Sequence, residues 1–196
     1  RCSWADPRKW TAGRSNCSTR ITLMTSNDRP LVLVLFGGES GEHQISCATA
    51  GGVLAAIDPQ KWRAVAVGIT PSGDWVPMPN DPLIYSLGED GGYTVEGGDL
   101  RVALLPGSGR LIQYQIAEEG EAIPQTVTTL GHVDVAFPLL HGPYGEDGTV
   151  QGLFELAKVP YVGCGVASSA VCQDKYLTKT IVASTGIDVG QWVAFN

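Results

Sequence analysis

"LVLVLFGGESGEHQ" runs from Leu31 to Gln44. Its first six residues, Leu31 to Phe36, are apolar without interruption and rich in strand formers, which predicts a β-strand covered on both faces. The glycines that follow make a tight turn. Ile45, Ala48, Thr49, Gly52, Val53, Ala56 and Ile57 then recur at helical spacing, which predicts a helix that buries this face. Asp58-Pro59 ends the helix, because the residue before proline is pushed out of the helical region. "RAVAVGIT" (Arg63 to Thr70) is the next strand. Strand, glycine turn, helix and strand form a βαβ unit, so the fold class is α/β with a parallel sheet. Gly51 and Gly52 weaken the helix and imply that another backbone packs against it.

The pattern repeats further along. "VDVAFPLL" (Val133 to Leu140) is a buried strand, and the loop His141 to Gly148 leaves it. Val150, Leu153, Phe154 and Ala157 then mark an amphipathic helix, with Asp147 placed where negative charge suits the helix dipole. "VPYVG" (Val159 to Gly163) reads as a short strand. "ASSAVCQDKYLTKTIVASTG" (Ala167 to Gly186) reads as one helix closed by Gly186, with Lys175 and Lys179 on one face. "IDVGQWVAFN" (Ile187 to Asn196) begins another strand. Residues 71–130 are turn-rich and predict short antiparallel strands joined by glycine turns, an elaborated surface insert with no chemistry assigned.

Composition excludes several classes. The 196 residues are 43% hydrophobic and 17% charged, as in globular domains. Net charge is −7, with 13 basic against 20 acidic residues, which lacks the basic footprint of a nucleic-acid binder. No apolar run approaches the ~20 residues of a membrane span. The five cysteines, Cys2, Cys17, Cys47, Cys164 and Cys172, include no C-x-x-C pair and suit free thiols in the cytoplasm. Residues 1–26 lack apolar periodicity and are read as a leader or non-native segment, with Met24 as the natural start.

Two loops carry the ionisable groups. "GGESGEHQ" offers backbone N–H groups near a helix start, a natural place for a small polar ligand. It matches neither G-x-G-x-x-G nor the Walker loop, and Glu42 breaks the G-x-S-x-G elbow. Glu42 and His43 open the helix. An acidic residue there is usually a cap or a dipole partner; its alternative role is to hold a substrate ammonium. His141 leaves a second strand at the same edge, beside Gly142, Gly145, Glu146 and Gly148, where an imidazole could meet a carboxylate or phosphate. Glu146 and Asp147 are too few for an oxygen-ligand cage, so no metal site is read. His132 has no such surroundings and is read as a surface residue. Spacing alone does not raise Lys175 above a solvated lysine.

Together, "LFGGESGEHQIS" and "LHGPYGEDGTVQGLFELAKVPYVGCGVASSAVCQDKYLTK" resemble the D-alanine–D-alanine ligase family, from about Leu31 onward and most densely from Phe137 to Lys179. The resemblance implies a Rossmann-like N-terminal (pre-ATP-grasp) domain over 27–166, followed from 167 by the start of an ATP-grasp central domain. It implies an ATP- and Mg²⁺-dependent ligase of cell-wall synthesis that joins two D-alanines through an acyl phosphate. By the same resemblance, Glu42 holds the first D-alanine's ammonium. His141 sits by its carboxylate and the acyl phosphate. Gly37 and Gly38 shape the substrate loop, Glu146 supports it, and Lys175 reaches the ATP phosphates. A homodimer formed through the N-terminal domain is also implied. The Mg²⁺ carboxylates and the oxyanion groups are expected beyond Asn196, so the isolated chain is expected to be an inactive fragment. Three alternatives accompany this reading: a D-alanine–D-lactate ligase, a non-catalytic D-amino-acid-binding module, and a serine hydrolase using Ser40 and His141.

Overall fold

The computed structural model describes residues 29–88, 91–116 and 126–194. The leader reading of residues 1–26 therefore lies outside the described residues.

Four strands form the central sheet: β1 (Leu31–Gly37), β2 (Arg63–Ile69), β3 (Trp75–Met78) and, numbered after the strands between them, β7 (Val135–Pro138). Their order is β3-β2-β1-β7. β1 is parallel to both β2 and β7, with Leu35 opposite Val67 on one side and Pro138 on the other, while β3 returns antiparallel along β2. The predicted strand at Val159 to Gly163 shrinks to one parallel bridge between Tyr161 and Ala136.

The uninterrupted apolar run of β1 has a direct cause, because successive side chains enter different cores. Leu31, Leu33 and Leu35 meet α2 (Thr149–Ala157) through Val150, Phe154 and Ala157. Val32, Val34 and Phe36 meet α1 (His43–Ala56) through Cys47, Ala50 and Leu54. Burial pushes the Cys47 thiol up to about 11, so it packs as a neutral, inert side chain.

Residues 71–130 form the expected antiparallel strands: β3, then β4 (Leu100–Leu105), β5 (Arg110–Gln115) and β6 (Val127–His132), the last three in a separate sheet. The segment is not a surface insert, however. Val102, Leu104 and Leu111 belong to the same core as β1 and α2, and Tyr85 and Val95 are fully buried against Phe36 and α1. These residues complete both layers.

The buried face of α1 also differs from the expected one. It consists of His43, Ser46, Cys47, Ala50, Gly51 and Leu54, whereas Ile45 is about half exposed. Small residues let the helix approach closely. A Cβ on Gly51 would stand 2.9 Å from the Pro82 carbonyl oxygen and 3.2 Å from Tyr85, whereas one on Gly52 would meet nothing within 4 Å. Gly52→Ala is therefore expected to raise stability by about 1 kcal/mol, and Gly51→Ala to lower it. Chemical denaturation of the two variants checks this pair of opposite signs.

The predicted long helix after Ala167 is two helices, α3 (Val166–Gln173) and α4 (Lys175–Ser184). Asp174 breaks it: its extended backbone lets the carboxylate accept from the N–H groups of Tyr176 and Leu177 at 2.8 and 3.0 Å. Residues 187–194 form no strand. No helix among the described residues is long and apolar enough to cross a membrane.

Candidate functional site

The sheet places the site. From β1 the chain crosses through α1 to β2; from β7 it crosses through α2 to the Tyr161 bridge on the other flank. The connections diverge between β1 and β7, and such a switch point opens a crevice at the carboxyl ends of the strands. The Gly37–Glu42 loop leaves β1 there, and the Leu139–Gly148 loop leaves β7. The last rung between them is the Leu139 N–H donating to the Leu35 carbonyl at 2.8 Å.

Glu42 stands at the N-cap of α1, yet its side chain makes no capping hydrogen bond. Asp81 and Asp174, by contrast, both cap with their carboxylates. The Glu42 carboxylate instead lies 3.6 Å from His141 Nδ1, an ion-pair distance when the imidazole is protonated. Both side chains reach solvent, 64% for Glu42 and 31% for His141. The arrangement puts an anion and an imidazole side by side at the mouth of a crevice. Such a pair can hold a zwitterion by both ends.

The glycine loop is shaped from behind. Gly37 and Gly38 have φ of +89° and +97°, in the left-handed region. The Gly38 N–H donates to the Ile69 carbonyl at 2.8 Å. His43, 7% exposed, reaches back under the loop. Its Nε2 accepts the Val95 N–H at 2.9 Å, so its Nδ1 carries the proton and donates to the Gly38 carbonyl at 2.7 Å. This neutral tautomer ties the loop to the 71–130 segment. His43 is a structural residue whose part the sequence does not reveal, because Val95 is remote along the chain.

The second loop is braced by its own acids. Glu146 accepts the Gly142 N–H at 2.8 Å. Asp147 accepts from Tyr144 and Thr149, each at 2.9 Å. Partial burial works to raise the Asp147 carboxyl, but the Thr149 and Tyr144 N–H groups more than offset it and hold it below the usual carboxylate value. Gln151, buried in α2, donates to the Gly145 carbonyl at 2.8 Å. Glu146 thus supports the loop from within.

A cleft of about 170 Å³ adjoins the pair, lined by Gly38, Glu39 and His141 with Ile69, Trp75, Leu140, Val150 and Leu153 among its apolar walls. The switch point gathers Gly37, Gly38, Glu42, His141 and Glu146. Lys175 does not join them: it opens α4, is exposed, and pairs with no carboxylate among the described residues. Ser40 Oγ accepts the Glu42 N–H at 3.1 Å and makes no hydrogen bond to His141, so the two do not form the nucleophile–base contact of a serine hydrolase. Among the described residues no group of three or more His, Cys, Asp or Glu side chains converges.

The molecule is an α/β domain with a carboxylate and an imidazole side by side at the switch point of its sheet. Comparison with known proteins makes this specific. The family described as D-ala D-ala ligase N-terminus matches residues 31–164, more than half of the chain. The chain belongs to the D-alanine–D-alanine ligase family. It is 46% identical over 167 residues to a D-alanine–D-alanine ligase of Bifidobacterium adolescentis, covering 84% of this chain and 43% of that protein. It is 43% identical over 177 residues to one of Mycobacterium avium, covering 88% and 46%. Among solved structures, the ligase from Coxiella burnetii aligns with a TM-score of 0.64 at 30% identity, covering 84% of this chain and 43% of that one. The VanG D-Ala:D-Ser ligase from Enterococcus faecalis aligns at 0.62 and 30% identity, over 83% and 44%. The chain spans less than half the length of these relatives.

Proposed function

We propose that this chain forms the first-substrate half of an ATP-dependent ligase that joins two D-alanines for peptidoglycan synthesis. The observation that carries the reading is the uncapped Glu42 carboxylate facing His141 at 3.6 Å across the switch point of a chain of this family. In this reading Glu42 holds the ammonium of the first D-alanine. The His141 imidazole lies by its carboxylate, where an acyl phosphate forms when ATP phosphorylates it. Attack by the second amine then releases phosphate. Gly37 and Gly38 shape the loop, and Glu146 braces it. Lys175, on helices that begin the next domain, offers a cation to the ATP phosphates. Mg²⁺ would be held by residues outside those described.

The test is D-alanine-dependent ADP release by the full-length enzyme that carries this chain. Glu42→Gln removes the charge but keeps the shape. It is expected to raise KM for the first D-alanine about 10- to 100-fold, the worth of one charge-assisted hydrogen bond. Unchanged dependence on D-alanine concentration would remove the ammonium contact. D-alanine binding without any ATP turnover would favour a binding module, and preference for D-lactate as second substrate would favour the depsipeptide-forming relative.

A further inference from the structure

Beyond Leu35 and Leu139 the β1–β7 ladder ends, and two backbone groups face each other across the opening crevice. One is the Gly37 N–H, the other the Leu139 carbonyl. A single side chain serves both. Ser46 Oγ accepts from Gly37 N at 2.8 Å and donates to Leu139 O at 2.7 Å. Ser46 is fully buried, on the first turn of α1. A hydroxyl has one proton to give and lone pairs to receive, so it can complete both bonds at once; a methyl group completes neither.

The bridge has consequences at the site. Through its backbone, Ser46 donates to the Glu42 carbonyl at 3.0 Å, which ties it to the residue that carries the carboxylate. Through its side chain it holds Leu139, two residues before His141. The two functional groups stand on separate loops. Gly142 approaches Ser40 between those loops, where an added Cβ would lie 3.3 Å from the Ser40 Cβ, but that is packing without a directed bond. Beyond the Leu139 N–H to Leu35 rung, the Ser46 hydroxyl adds a directed link that joins Gly37 to Leu139.

We infer that Ser46 is a positioning residue that fixes the separation of Glu42 and His141, acting on turnover through the placement of His141. This rests on the ligase reading above. Its signature is dependence on His141. In the full-length enzyme, Ser46→Ala is expected to lower kcat of the folded protein about 10- to 100-fold, the cost of an ångström-scale misplacement of a reacting group, with KM for ATP unchanged. In a His141→Ala background the same change is expected to have almost no further effect on kcat.

The outcomes separate cleanly. Full additivity of the two substitutions would overturn the inference, and so would wild-type kcat in folded Ser46→Ala. If His141→Ala alone leaves kcat unchanged, the ligase role of His141 fails first, and Ser46 loses its target with it. Should Ser46→Ala not fold, the same cycle is run with Ser46→Cys, whose thiol fills the space but bonds weakly. A kcat loss that vanishes without His141 is again the expected result, and additive losses again overturn the inference.

Discussion

Replacing His141 with alanine is expected to cut D-alanine-dependent ADP release by about 100- to 1000-fold while barely moving the thermal transition. The two parts of this expectation have different origins. The imidazole is about one-third exposed, and its recorded partner is the Glu42 carboxylate at 3.6 Å. It belongs to neither core cluster. Its removal opens no cavity and orphans no buried backbone group, so the stability change stays within about 0.5 kcal/mol. Turnover responds differently. In the proposed reaction, phosphorylating a carboxylate brings two anions together, and an imidazole beside that carboxylate would act where charge develops. The measurement is specific activity of the folded fraction beside a calorimetric scan. Wild-type specific activity with a lowered transition temperature would make His141 a structural residue and end its catalytic assignment.

How much of this was legible in the residues follows from what each signal measures. Hydrophobic continuity locates β1, β2 and β7, but only β1 is buried along its whole length; the first three residues of β2 are half-buried, and β7 fully buries Ala136 alone. Periodicity reports apolar side chains, not closeness of packing. On α1 it selected Ile45 and its neighbours, whereas the helix rests on Ser46, Cys47, Ala50 and Gly51. Small and polar residues carry that interface because the Pro82–Tyr85 turn comes within contact of Gly51. The same blindness hid His43 and Ser46. Their partners, Val95 and Leu139, lie 52 and 93 positions away, and a hydrogen bond of that range leaves no local pattern. Asp174 divides the run Ala167 to Gly186 by capping α4 with its carboxylate, a break that helical periodicity does not register. Glu42 and His141 were singled out as residues that follow buried strands. That they face each other required the parallel pairing of β1 with β7, which only the topology supplies.

Gly37→Ala is expected to be the most damaging single-methyl change in the domain, costing about 3–5 kcal/mol. Gly37 has φ +89°, where an L side chain is strained by about 1–3 kcal/mol. Strain is the smaller part of the difficulty. The new Cβ would sit 2.3 Å from the Ile69 carbonyl oxygen, 3.1 Å from His43 Cε1 and 3.2 Å from Val95 Cγ2. Backbone stands on one side and a buried histidine on the other, so no flexible side chain can give way. Relief requires β1 to part from β2 at its end. That parting loosens the Gly38 bond to Ile69, the Ser46 bond to Gly37 and the His43 bond to Gly38 together. Each group left buried without a partner costs about 1–3 kcal/mol. A loss of this size removes a large part of the stability of an ordinary domain, so the urea midpoint of the variant is expected to fall steeply. Gly41→Ala is the control: the added Cβ meets nothing within 4 Å, and stability is expected to stay within about 0.5 kcal/mol. Urea midpoints of the two variants decide the matter. Equal midpoints would mean that the loop behind Glu42 is free to shift, and a loop that shifts could not hold the carboxylate in register with His141.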